Sequence, residues 1–170
     1  RICKAVASNV PCSRRTTIST GDSAGARYSE SGKTAGATIM TPEQAATLRW
    51  FRTAEFRHPE LVCYEAAVFL DDVRQLYGAP LYITADARTL EENNALLTSG
   101  AKPNSLHLAG RAFDVRFPPT REALWKLVKA VQTVAGARPV ELELVSGPQD
   151  RHVHVGLHDH GASRLVLALT

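Results

Sequence analysis

The run NSLHLAGRAFDVRF, Asn104 to Phe117, places a carboxylate where a packed strand would carry a hydrocarbon: Asp114 stands between Phe113 and Val115. An unpartnered carboxylate in such a place loses its hydration at a heavy cost or gives up its charge. A charged Asp114 therefore needs something positive beside it. Arg111 or Arg116 could pair with it, or a metal could. His107 lies seven residues upstream with Gly110 between, and far downstream RHVHVGL alternates His152 and His154 with Val153 and Val155. In a strand, residues at i and i+2 project to one face, so both imidazoles address one pocket while the valines face the packed side. Two histidines and a carboxylate are competent zinc ligands that leave a fourth position for water or substrate.

The rest of the chain sets the frame for that cluster. With 170 residues, 44% of them hydrophobic, it is one domain's worth of protein. A chain of this length buries roughly 68–70% of its unfolded surface. The formal net charge of +3 comes from 20 basic and 17 acidic residues without a basic block, which gives no reason to infer nucleic acid as a partner. No run of 18 apolar residues is present, so no membrane span is expected. The first thirty residues lack a signal peptide's apolar core, as a mature secreted chain also would.

Residues 1–38, rich in Ser, Thr, Gly and Ala, read as an irregular arm, and 39–170 as the folded domain. SESGKT in the arm lacks the first glycine and the preceding strand of a phosphate-binding loop. Cys3 and Cys12 are close enough for a disulfide across a short loop, whereas Cys63 reads as a small buried hydrophobe.

From Thr41 the capping pattern Thr41-Pro42-x-Gln44 predicts a helix running on to about Phe56. A second helix is expected from Glu60 to Tyr77, with Leu61, Tyr64, Val68, Leu70, Val73 and Leu76 as its stripe and Gly78 as its stop. APLYITA reads as a strand, TLEENNALL as a short helix capped by Thr89 with Glu92, and residues 111–117 as a second strand. TREALWKLVKAVQTVAG predicts a helix ending at Gly136, followed by strands in PVELELV, RHVHVGL and SRLVLAL. Helices early and strands late favour an α+β domain with a small, mainly antiparallel sheet. Trp50 and Trp125 are expected to pack, His58 to enter a turn, and His158 and His160 to be exposed loop histidines. Arg121, Glu122, Lys126 and Lys129 read as a solvated helix face.

The segments ITADARTLEENN, SLHLAGRAFDV and HVHVG together resemble the zinc D-Ala-D-Ala carboxypeptidase and endopeptidase family, whose fold is shared with the Hedgehog signalling domain. The likeness spans about Phe51 to Leu157, and it carries the long-range pattern Ser-x-His-x-x-Gly-x-Ala-x-Asp followed by His-x-His. It implies zinc held by His107, Asp114 and His154, with His152 as an auxiliary active-site histidine. Ser105 and Gly110 would support the ligands. Arg88 matches the arginine that the family uses to hold a peptide carboxylate, although the usual SGYR has become TADAR here.

The general base stays open among Asp150, four residues before His154, and Glu143 or Glu141 on the preceding strand, or a site using histidine chemistry or lacking catalysis. The resemblance implies zinc-dependent hydrolysis of amide bonds in bacterial peptidoglycan peptides by a monomer that is secreted, periplasmic or bound to the cell wall. The alternative it permits is a non-catalytic, zinc-stabilised binding domain. A third reading makes HVH incidental, with its histidines pointing away from Asp114.

Overall fold

The computed structural model describes residues 38–147, 150–159 and 163–168. The arm expected over 1–38, all but its last residue, the Cys3–Cys12 pairing and His160 lie outside them.

Thr41 caps a helix as its sequence predicts, with the reciprocal Gln44 bond in place, but that helix, α1, covers only Pro42–Ala45. It does not run on to Phe56, because the carboxylate of Asp71 captures the chain. Oδ2 accepts the N–H of Arg49 at 3.0 Å, and Oδ1 accepts those of Trp50 at 2.8 Å and Phe51 at 3.0 Å. Backbone donors held this way cannot serve a helical ladder. Single 3-10 turns follow at Thr53–Glu55 and Pro59–Leu61.

The second helix, α2, is Tyr64–Tyr77, shorter than expected at its start. The residues before it are already paired, Met40 N–H with the carbonyl of Val62 and Cys63 N–H with that of Gly110. Gly78 stops α2 in the left-handed conformation, φ 67°. Cys63, a free thiol, is buried as expected. Leu70 and Val73 of the expected stripe are buried, with Ala66, Ala67 and Phe69 completing the buried face, whereas Leu76 is exposed.

Short helix α3, Leu90–Ala95, has the predicted Thr89–Glu92 capping box. Helix α4, Arg121–Ala135, is capped by Thr120 and packs Leu127, Val128 and Val131 into the core shared with α2. Trp125 sits off that stripe, and both it and Trp50 are about half exposed, at 46% and 49%, which corrects the expectation that they pack.

The sheet comprises β1 Ile83–Ala85, β2 Ala112–Arg116, β3 Val140–Ser146, β4 Arg151–Leu157 and β5 Arg164–Ala168. Their order is β1-β2-β4-β3-β5, antiparallel except for the parallel β3–β5 pair, so the fold is α+β with a mainly antiparallel sheet. Period-two alternation divides this sheet into two chemistries. Phe113, Val115, Leu142, Leu144, Val153 and Val155 join the core with α2 and α4. On the opposite face the register lines up Asp114, His154 and Glu143 across β2, β4 and β3.

Candidate metal centre

Asp114 occupies the middle of β2 at 6% exposure, beside His154 on the paired strand. Its Oδ1 lies 2.8 Å from His154 Nδ1 and 3.3 Å from His107 Nε2. The two imidazole nitrogens are themselves 3.3 Å apart. One ligand atom from each of the three residues falls within 4.8 Å of the others, which is the arrangement of a site that could hold a metal ion. The histidines therefore point at Asp114, and the reading of HVH as incidental is wrong.

His107 reaches the cluster from the turn before β2, and its tautomer is set from behind. Its Nδ1 lies 2.5 Å from the backbone carbonyl of Asp86, an atom that can only accept, so Nδ1 carries the proton and Nε2 offers a lone pair to the cluster. Arg88 N–H donates to the carbonyl of His107 at 3.0 Å, so residues 86–88 hold the histidine through both ring and backbone. Lone pairs of His107 Nε2 and of the Asp114 carboxylate converging at these distances repel unless a cation or proton lies between them. The donor set thus fits a divalent metal. Burial alone would raise the pKa of Asp114; with protons on the facing imidazoles in place of a metal, the hydrogen bonds and charge of His107 and His154 outweigh it and hold the carboxyl well below the usual range.

Neither arginine singled out beside Asp114 in sequence pairs with it. Arg111 is buried and turned away, with Nε donating to the carbonyl of Leu157 at 2.9 Å and Nη1 to Asp159. Arg116 lies over the ring of Tyr82, its guanidinium 5.0 Å from the centroid. The cation that reaches Asp114 is Arg88, with Nη2 3.1 Å from Oδ2. Gly110 is required by space as well as by its φ of +65°, since a Cβ there would lie 2.0 Å from the carbonyl oxygen of Leu61. Ser105 Oγ accepts the N–H of His107 at 3.3 Å.

The cluster opens into a cleft of about 940 Å³ whose walls include Arg88, Lys102, Glu141, Glu143, Asp150, His152 and His158. His152 is partly buried, with Nδ1 2.7 Å from Asp150 Oδ1 and Nε2 3.7 Å from Asp114 Oδ1. Glu143 is half-buried directly beside His154 across the strand pair. Glu141 instead faces Lys102 at 3.3 Å and His158 at 3.5 Å. Burial raises its pKa, and the charges of Lys102, His154 and His158 with the Lys102 hydrogen bond more than reverse that, leaving it lowered. His158 is therefore a partly buried wall residue, which corrects its reading as an exposed loop histidine.

Sequence reasoning missed Asp86 and Gly156. Asp86 carries no motif signal, because its service to His107 runs through a backbone oxygen. Gly156 makes room for the turn that carries His107: a Cβ there would meet Leu106 Cδ1 at 2.6 Å.

A family model described as peptidase M15 matches residues 34–156, a stretch that holds all three candidate ligands. No curated relative matches the chain. Among solved structures, the crystal structure of the Serratia marcescens L-Ala D-Glu endopeptidase ChiX is similar at a TM-score of 0.44 and 17% identity, over 58% of this chain and 81% of that one. With most of its length matched by the family model, the chain belongs to the peptidase M15 family of metallopeptidases.

Proposed function

We propose that this protein is a zinc peptidase that hydrolyses amide bonds in bacterial peptidoglycan peptides, as a DD-carboxypeptidase or an endopeptidase. The observation that carries the reading is the convergence of His107, Asp114 and His154 within 4.8 Å, with His107 Nδ1 tied off on Asp86. Those three residues would hold the metal. Zinc bound there supplies Lewis acidity toward a carbonyl oxygen and lowers the pKa of a water.

The remaining chemistry falls to the chain's own groups. Asp150 accepts the Nδ1 proton of His152, which leaves His152 Nε2 as the lone pair turned toward the cluster. A water attacking the scissile carbonyl would give its proton to Nε2, and the imidazolium, steadied by Asp150, would pass a proton to the departing amine. In this arrangement His152 is the base, and Asp150, the first choice among the carboxylates, acts by positioning it. Glu143, the fallback, stands beside His154, whereas Glu141 is engaged by Lys102 and His158. Arg88 fixes Asp114 with one amino group and lines the cleft, where its remaining donors would meet a substrate carboxylate. Such a substrate puts the protein's work outside the cytoplasm, as a secreted, periplasmic or wall-associated monomer.

Metal analysis of the purified protein, combined with mass-spectrometric mapping of products from defined cell-wall peptides, tests this. We expect one zinc per chain, loss of cleavage on chelation, and loss of cleavage with zinc retained in Asp150→Ala and His152→Ala. Retained cleavage by zinc-free protein overturns the mechanism. Zinc without cleavage of any peptide favours the non-catalytic binding domain.

A further inference from the structure

The face of the sheet that carries the metal cluster does not end at the cleft. Arg116 is two residues beyond Asp114 on β2 and pairs in register with His152 on β4. It therefore projects from the same face as Asp114, one step along the strands. Its N–H donates to the carbonyl of Tyr82, the residue before β1, and its guanidinium lies over the Tyr82 ring. Tyr82 is 56% exposed. An exposed phenol ring under an arginine holds the guanidinium's plane in one orientation and leaves its N–H edge free to meet a planar anion.

The other cations of this face are occupied. Arg88 meets Asp114 at 3.1 Å and Lys102 meets Glu141 at 3.3 Å. Arg116 has no carboxylate partner among the described residues. Arg88 is the arginine that the family resemblance gives to the substrate's carboxylate, yet here it contributes to holding a candidate metal ligand. One carboxylate of the substrate falls to the remaining donors of Arg88, and a second anionic group then has Arg116 as its place to go.

We propose that Arg116, braced by Tyr82, forms a rim subsite that binds a carboxylate of the peptide substrate on the His152 side of the scissile bond. The proposal rests on the peptidase reading above and makes Arg116 a specificity-determining residue.

The test uses zinc-loaded protein and two probes: a synthetic peptidoglycan stem peptide with its carboxylates free, and the same peptide with them converted to carboxamides. Both turnover and calorimetric binding are measured for wild type, Arg116→Ala, Arg116→Lys, Tyr82→Ala and Tyr82→Phe. For the free-acid peptide we expect Arg116→Ala to raise KM and the dissociation constant about tenfold, the scale of one charge-assisted contact, while kcat stays within about twofold. Tyr82→Ala should give a smaller rise that Tyr82→Phe restores, and Arg116→Lys a partial rescue. The amide peptide should respond to none of these changes. Equal effects on the two peptides, an acid-over-amide preference unchanged in Arg116→Ala and Tyr82→Ala, or binding of neither peptide overturns the subsite. Binding that prefers the acid through Arg116 without any cleavage upholds the subsite and removes the peptidase reading instead.

Discussion

Two buried aspartates show how differently the same side chain can be accommodated. Asp71, on α2, is 3% exposed, and Asp114, on β2, is 6% exposed. Asp71 is satisfied by three backbone N–H groups, with Arg49 Nε further off at 3.7 Å. Its partners cannot leave, titrate or bind anything else. Asp114 is surrounded by His107, His154 and Arg88, every one a side chain that can move, and two of them able to ligate a metal. Backbone donors around a carboxylate make architecture, and ligating side chains around one make a site. Burial alone separates nothing here.

The comparison breaks most sharply at Asp114. Replacing Asp114 with Ala should reduce peptide cleavage to background and remove bound zinc, while the protein still unfolds cooperatively. The reciprocal change, Asp71→Ala, orphans three donors and should cost about 2–4 kcal/mol, read as a lower denaturant midpoint with zinc per folded chain unchanged. If Asp71→Ala empties the metal site without loss of stability, the division between architecture and site fails. Zinc added at about a hundred times its dissociation constant should stabilise the wild type by about 2.7 kcal/mol. That increment should persist in Asp71→Ala and vanish in Asp114→Ala.

What could be read from sequence follows the same division. The shared face of His152 and His154 was legible because strand parity is local, and so were the α1 and α3 caps; joining that pair to His107 and Asp114, far off in the chain, took the long-range motif of the family resemblance. The end of α1 was not, because the group that stops it, Asp71, lies some twenty residues further on. Arg88's bond to Asp114 depends on β1 and β2 pairing with an irregular register at Ala85, and Glu143's place beside His154 on β4 lying between β2 and β3. Strand order of that kind is set by the packed whole and not by any one segment. Trp125 and Leu76 have the hydrophobicity of core residues, but each lies on the side of its helix turned from the core, and Trp50 lies in the bend between α1 and the first 3-10 turn, where helical periodicity has no say.

Asp86 falls between the two aspartates and sharpens the contrast. It is 1% exposed, and its Oδ2 accepts the N–H of Arg57 at 2.6 Å and that of His58 at 3.3 Å, which is the Asp71 pattern. Its backbone carbonyl, however, fixes the His107 ring, so anchoring the side chain positions a ligand one step removed. Asp86→Ala should therefore lower both stability and zinc affinity, the latter by roughly tenfold, the lower end of what groups behind a ligand contribute. Asp86→Asn tells whether charge or geometry matters. Oδ1 makes no hydrogen bond among the described residues, so an amide nitrogen can take its place while the remaining oxygen keeps the two N–H bonds. If the anchoring is geometric, zinc titration by competition with a chelator should find Asp86→Asn within about twofold of wild type. A tenfold loss in the asparagine variant would mean that the carboxylate's charge acts on the metal cluster directly, and Asp86 would then belong with Asp114 and not with Asp71.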